Sequence, residues 1–157
     1  MNKSGPTFNL PKHSAHWLAG VLLLAAGAAH AALGGNFASV QAEAQRLNGT
    51  LHTTSTANYD VHEIQVNGRA IERQYVNHAG QVFGIAWKSS RSADLKSMLG
   101  SYFPKYQAGS VRRVDLHHSV LTSPDLVVEV GSFLQTFMGR AYVPAQVPAG
   151  TAPSEIH

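Results

Sequence analysis

An Asn-Gly pair at positions 67 and 68 constrains the fold of this chain more than any other feature. The pair lies between two runs of β-favouring residues, 59–66 and 69–76, and in that position it is the strongest short-range signal for a β-hairpin. Within the first run the apolar positions change phase, which one inserted residue would produce. The sequence therefore predicts a hairpin, with a β-bulge near His62-Glu63.

Three further stretches have the pattern of strands. Residues 82–87 alternate large and small side chains, so this strand is predicted to be central and buried on both faces. Residues 126–130 and 133–143 follow as two more strands joined by a short turn. In the strand 82–87, three large residues are expected to share one face: Phe83, Ile85 and Trp87.

Two short helices are indicated by apolar residues at helical spacing. The first covers 37–47 after Asn36, a suitable N-cap, and the second covers 92–102 and ends before Pro104. This order predicts an α+β domain, a small mainly antiparallel sheet of about five strands with two short helices packed on one face. A small β-sandwich with peripheral helices is the alternative, because the strands can also divide between two sheets.

The remaining segments are polar. Residues 50–58 would form an edge strand or an extended linker, and as an edge they would offer a surface for pairing with another chain. Residues 105–123 are expected to form a mobile loop. Residues 144–157 contain several prolines and little to bury, so this Pro/Ala-rich tail is predicted to be extended or disordered.

The beginning of the chain has the order of an exported leader. Two lysines precede the uncharged run 17–29, which is too short to cross a hydrocarbon core about 30 Å thick and ends in Ala-His-Ala, a signal-peptidase pattern. We expect residues 1–31 to be a cleavable signal peptide, cut between Ala31 and Ala32, and residues 32–143 to form a single globular domain. An uncleaved N-terminal anchor is the alternative.

Composition indicates the compartment and excludes several classes of function. The chain has no cysteine, so it forms no disulfide, no thiolate metal site and no acylated cysteine. The chain has 12 Lys and Arg and 9 Asp and Glu. Loss of the two leader lysines would remove most of this basic excess, which nucleic-acid binding would need. No later apolar stretch approaches the roughly 20 residues of a membrane span. We expect a soluble exported protein, periplasmic or secreted.

Several short motifs run through nearly all of the chain after the leader. They are ALGG at 32–35, RQYVNHAGQVFGIAW at 73–87, the segment from Asp94 to Phe103, DLVVE at 125–129 and GRAYVP at 139–144. Together they resemble a family of small exported proteobacterial proteins known as domain of unknown function 2844. The resemblance implies an exported single domain, and it brings no assigned activity or catalytic residue.

Histidine is the one side chain after the leader that could bind a transition metal strongly. The candidate ligands are His62, His117 and His118, and a His or a carboxylate from another segment could complete the set. Because no HxH, HxxxH or HExxH spacing occurs, we interpret them as surface or turn histidines. No GxSxG motif is present, and we find no catalytic residue to assign.

Most of the aromatic residues are expected to be core. If Trp87, Tyr102 and Tyr106 were exposed together beside Arg140, they would form a groove for a glycan or a peptide, because rings stack on sugars and arginine adds directed donors. The sequence thus favours a non-catalytic binding or interaction module of the cell envelope, without a cofactor, whose partner is an envelope protein or glycan. The alternatives are a metal- or carboxylate-dependent envelope hydrolase and an inhibitor of an envelope enzyme.

Overall fold

The structure is a computed structural model. It describes Met1 and residues 32–68 and 70–157. The predicted signal peptide, apart from Met1, lies outside the described residues, as does Ala31 of its predicted cleavage position. Among the described residues, no helix is long and apolar enough to cross a membrane.

Strands dominate the described part of the chain. They are β1 Thr50–Ser55, β2 Tyr59–Val66, β3 Ala70–Asn77, β4 Val82–Ser89, β5 Arg112–Arg113, β6 His118–Thr122, β7 Val127–Phe133 and β8 Thr136–Tyr142. Three short helices accompany them: α1 Phe37–Arg46, α2 Leu95–Leu99 and α3 Phe103–Ala108. All strands pair antiparallel in one sheet with the order β1-β2-β3-β4-β8-β7-β6-β5, so β8 returns to the centre beside β4.

The predicted architecture of about five strands with two helices is wrong, and the sandwich alternative is also wrong, because one sheet of eight strands makes the fold mostly β. The sequence did not indicate β5 and β6, which arise from the segment 105–123, and it left the segment of β1, 50–58, open between an edge strand and a linker. These three strands come from polar sequence. They lie at or near the two edges of the sheet, where few side chains are buried. The apolar alternation that marks a half-buried strand is therefore absent from them.

The second predicted helix is divided into two. Gly100 has a φ of 50°, and a 3₁₀ turn at Gly100–Tyr102 separates α2 from α3. Pro104 does not end the helical segment, because it occupies the first turn of α3, where its missing N–H is tolerated. The predicted Asn36 cap of α1 is confirmed, since its side chain accepts a hydrogen bond from the Ser39 N–H at 3.1 Å.

The Asn-Gly hairpin is confirmed. Asn67 and Gly68 have φ values of 49° and 63°, and they join β2 to β3. The predicted bulge at His62-Glu63 is wrong, because the pairing of β2 runs without interruption. The register instead shifts between β3 and β4, where Phe83 is the extra residue and the alternation of β4 changes phase.

All three helices pack on one side of the sheet, which we call the helix face. Its core includes Val40 from α1, Leu99 from α2 and residues from the central strands, all almost fully buried. Trp87 of β4 belongs to this core and is only 6% exposed. The strand residues of the core are Ile64, Val76, Val82, Ile85, Trp87, Leu121, Val128 and Ala141.

Residues 144–157, here called the strap, pack on the opposite side of the sheet, the strap face. The strap contains 3₁₀ turns at Pro144–Gln146 and Pro153–Glu155. Its Ile156 is fully buried among aromatic residues of β2, β3 and β4. Gly84 permits this contact, because a Cβ there would lie 3.1 Å from the Ile156 Cδ1. These aromatic residues are Tyr59, Tyr75 and Phe83.

Candidate functional site

A groove of about 720 Å³ lies on the strap face, between the strap, the central strands and the segment before β6. Side chains two residues apart on β3, β4 and β8 point into it, because alternate residues of a strand share a face. The groove therefore combines apolar and charged groups from three strands. It is lined by Ile71, Arg73, Ala86, Trp87, Lys88, Met138, Arg140 and Ile156, with Phe133, Asp115, His117, His118, Glu129 and His157 around them.

Two arginines at the groove are held by ion pairs and by the strap. Arg73 Nε donates to Glu63 Oε2 at 2.7 Å, and Arg140 donates to Glu129 at 2.9 and 3.0 Å. Each arginine also donates to a backbone oxygen of the strap, of His157 at 2.8 Å and of Pro153 at 2.9 Å. The strap is thus fixed to the sheet by hydrogen bonds as well as by apolar packing.

The Glu63 carboxylate of the first pair is favoured in its charged form. Hydrogen bonds from Gln65 and then from Arg73 lower the pKa of Glu63. The strap also bonds to tyrosines of the sheet, since Tyr59 Oη donates to Glu155 Oε2 at 2.9 Å and Tyr75 Oη to the His157 backbone oxygen at 2.8 Å. This end of the groove is therefore a closed polar network.

The other end of the groove is open and has a different character. Lys88 is exposed, and no carboxylate in the described part of the chain lies within ion-pair distance of it. Its partner across the β4–β8 pairing is Met138, which is 41% exposed. At the tip of the β7–β8 hairpin, Phe133 and Leu134 are 68% and 82% exposed. A cation that makes no ion pair within the described residues thus lies beside accessible apolar surface.

The structure does not bring the four residues of the predicted aromatic site together. Trp87 is buried in the helix-face core, and its Nε1–H has no hydrogen-bond partner among the described residues. Tyr102 and Tyr106 are half-buried against that same core. Arg140 faces the opposite side of the sheet, because it is adjacent to Gly139, the pairing partner of Trp87.

The three predicted metal ligands are also divided between distant places. His62 is 4% exposed on the helix face, where its Nδ1 lies 2.8 Å from the Thr53 Oγ1 and its ring packs on Phe37. Burial lowers the pKa of His62. His117 and His118 border the groove, and four strands separate β2 from β6. No group of three His, Asp or Glu side chains in the described residues has an arrangement that could hold a metal ion.

Sequence reasoning missed the groove residues Lys88, Met138 and Ile156. The period of two along β4 and β8 would have placed Ala86 with Lys88 on one face, and Met138 with Arg140 on one face. The sequence contained no signal that β8 pairs with β4. About fifty residues of chain separate the two strands, and no hairpin turn joins them directly.

The fold and the groove together define a small single-sheet β protein with helices on one face and a strap on the other. Residues 29–156 match the family model described as protein of unknown function (DUF2844), and the chain belongs to that family. The comparisons with curated proteins and with solved structures give no match.

Proposed function

We propose that the chain is a non-catalytic binding module of the cell envelope and that its ligand site is the groove on the strap face. The ligand class that fits is a small amphipathic molecule with an anionic group. The main observation in support of this proposal is the pairing of Lys88 with Met138 across β4 and β8. Lys88, which makes no ion pair within the described residues, thereby lies beside an apolar surface formed by Met138, Ala86 and Ile71.

The size and chemistry of the groove support this proposal. A volume of about 720 Å³ falls within the range of small-molecule sites, which are mostly apolar with a few placed polar groups. The ion pairs at Arg73 and Arg140 leave Lys88 as the basic group with no carboxylate partner in the described part of this groove. An anionic group is the natural partner for that ammonium.

The envelope location rests on the leader pattern of the first residues. A basic segment, a short apolar run and an Ala-His-Ala sequence at 29–31 support export. The absence of cysteine is consistent with a soluble exported chain and not with an acylated one. Mass spectrometry of the N-terminus of the chain isolated from an envelope fraction tests this part, and an intact residue 1 would contradict cleavage.

Binding of anilinonaphthalene sulfonate tests the groove directly, because the dye combines apolar rings with a sulfonate. We expect one dye molecule per chain, and Lys88→Glu to weaken its binding about tenfold, since an attraction is replaced by a repulsion. The measurement is fluorescence titration of the purified full chain. Circular dichroism of both proteins verifies that the fold is unchanged.

The matched control is Lys96→Glu, which makes the same charge change on α2, at an exposed position of the helix side. It should bind the dye as the parent does. Equal weakening in both variants would mean that only net charge matters, and no weakening in either would place the dye elsewhere. Either result would contradict a ligand site at Lys88.

A further inference from the structure

The two edges of the sheet differ in how they are protected. At one edge, β5 is a pair of arginines, and a short, charged edge strand resists pairing with another chain. At the other edge, β1 is Thr50–Ser55, with the sequence TLHTTS. It has no lysine, arginine, acid or proline, and five of its six residues are exposed. This edge lacks the features by which sheets avoid pairing.

The backbone groups of β1 alternate in direction. The Thr56 N–H donates to the Tyr59 carbonyl at 2.9 Å, which closes the β1–β2 hairpin. Counting back from this pair, the even-numbered residues of β1 bond to β2. The N–H and C=O groups of Leu51, Thr53 and Ser55 then point away from the sheet. The edge therefore presents three donors and three acceptors in register.

We propose that β1 docks against β1 of a second copy of this chain, antiparallel, about a two-fold axis at Thr53. In that register Thr53 faces Thr53 of the second copy, and Leu51 faces Ser55 of the second copy. All three outward-pointing residues then form hydrogen-bonded pairs, so the two sheets continue as one. The arrangement is self-complementary, as a two-fold interface requires.

The side chains of β1 are compatible with pairing to β1 of a second copy. The central pair is Thr with Thr, a favourable cross-strand combination, and on the strap face His52 meets Thr54 of the second copy. No like charges face each other in this register. An identical strand therefore satisfies every outward backbone group without a repulsive pair. The groove on the strap face is formed by β3, β4, β8 and β7, away from the β1 edge, so it stays open to its ligand.

The oligomeric state of the full chain tests this inference. We expect sedimentation velocity to show a concentration-dependent dimer of twice the mass of one chain. Thr53→Lys should weaken the dimer about tenfold or more, because two lysines would face each other across the axis. Amide hydrogen exchange at Leu51, Thr53 and Ser55 should slow at high concentration in the parent and not in the variant.

Two further variants make the test specific. Ser90→Lys adds the same charge at an exposed position outside the edge and should leave the dimer unchanged. Ser55→Pro removes an outward N–H that makes no bond to β2, so it should weaken the dimer while circular dichroism stays that of the parent. A monomer at all concentrations would overturn the inference. A dimer that Thr53→Lys and Ser55→Pro leave intact would also overturn it.

Discussion

Replacing Ile156 with alanine should lower the free energy of unfolding by about 3 kcal/mol. Ile156 is fully buried against Phe83, Tyr59 and Tyr75, and it lies directly over Gly84. Truncation removes three methyl or methylene groups and leaves a cavity between the strap and the sheet, since the rings around it belong to the fixed central strands. Urea unfolding followed by tyrosine fluorescence and circular dichroism measures the loss.

The control for this prediction is Ile71→Ala. Ile71 borders the same groove but is only half-buried, so its loss should be about 1 kcal/mol or less. The Ile156 variant should also speed hydrogen exchange in the strap, because Ile156 anchors residues 144–157. Equal, small losses in the two variants would mean that the strap is not anchored by Ile156.

Replacing Glu72 with glutamine should stabilise the protein by about 2 kcal/mol more at pH 8 than at pH 5. Desolvation raises the pKa of Glu72 to about 7, and the nearby Glu43 carboxylate of α1 adds to the rise. The Gln74 Nε2 donates to the Glu72 side chain at 2.8 Å and opposes the shift. Glutamine keeps an oxygen for this bond and carries no charge.

The sign of the effect follows from the direction of this shift. Because the folded pKa of Glu72 lies above its ordinary value of 4.5, the folded state holds the proton more tightly than the unfolded chain. The stability from this group is complete below pH 4.5 and is lost as the pH rises to about 7. His62 has the opposite effect. Burial lowers its pKa, so the stability that neutral His62 contributes to the fold is lost as the pH falls. His62 is present in both proteins, so the difference between them isolates Glu72.

Urea unfolding of parent and Glu72→Gln between pH 5 and pH 8 measures the difference. The matched control is Glu63→Gln, because hydrogen bonds from Gln65 and Arg73 lower the pKa of Glu63 and its titration falls below this window. Its difference from the parent should be the same at pH 5 and pH 8. A constant difference for Glu72→Gln as well would show that this carboxylate does not titrate near neutrality.

The local elements of the fold were predictable from the sequence where their cause is local. Asn67-Gly68 indicates the hairpin because both residues adopt a positive φ at little cost. Asn36 indicates the start of α1 because its side chain satisfies a free N–H of the first turn. Neither effect depends on residues far away in the chain.

The edge strands were not predictable in this way. β1 has the sequence TLHTTS, and it is a strand because β2 offers it backbone partners, not because its side chains bury a face. β5 and β6 depend likewise on the pairing of β6 with β7. A strand held by main-chain hydrogen bonds at an edge leaves little trace in hydrophobic periodicity.

The candidate site was less predictable than the fold. Strict alternation in β4 would place Phe83 on the same face as Trp87, but the bulge at Phe83 puts that ring under the strap and Trp87 under the helices. Tyr102 and Tyr106, which pack against the helix-face core, therefore share no site with Arg140 on the strap face. The groove residues became neighbours only through the pairing of β8 with β4.

The amino-acid sequence alone specified the hairpin turn, the cap of α1, the strand character of residues 82–87 and the family to which the chain belongs. The tertiary structure decided the number of strands, the return of β8 beside β4, and the docking of Ile156 on Gly84. The physical reason is that turns and caps are set by the conformational preferences of a few adjacent residues. Strand pairing and burial depend on residues distant in the chain, whose contacts leave no local pattern.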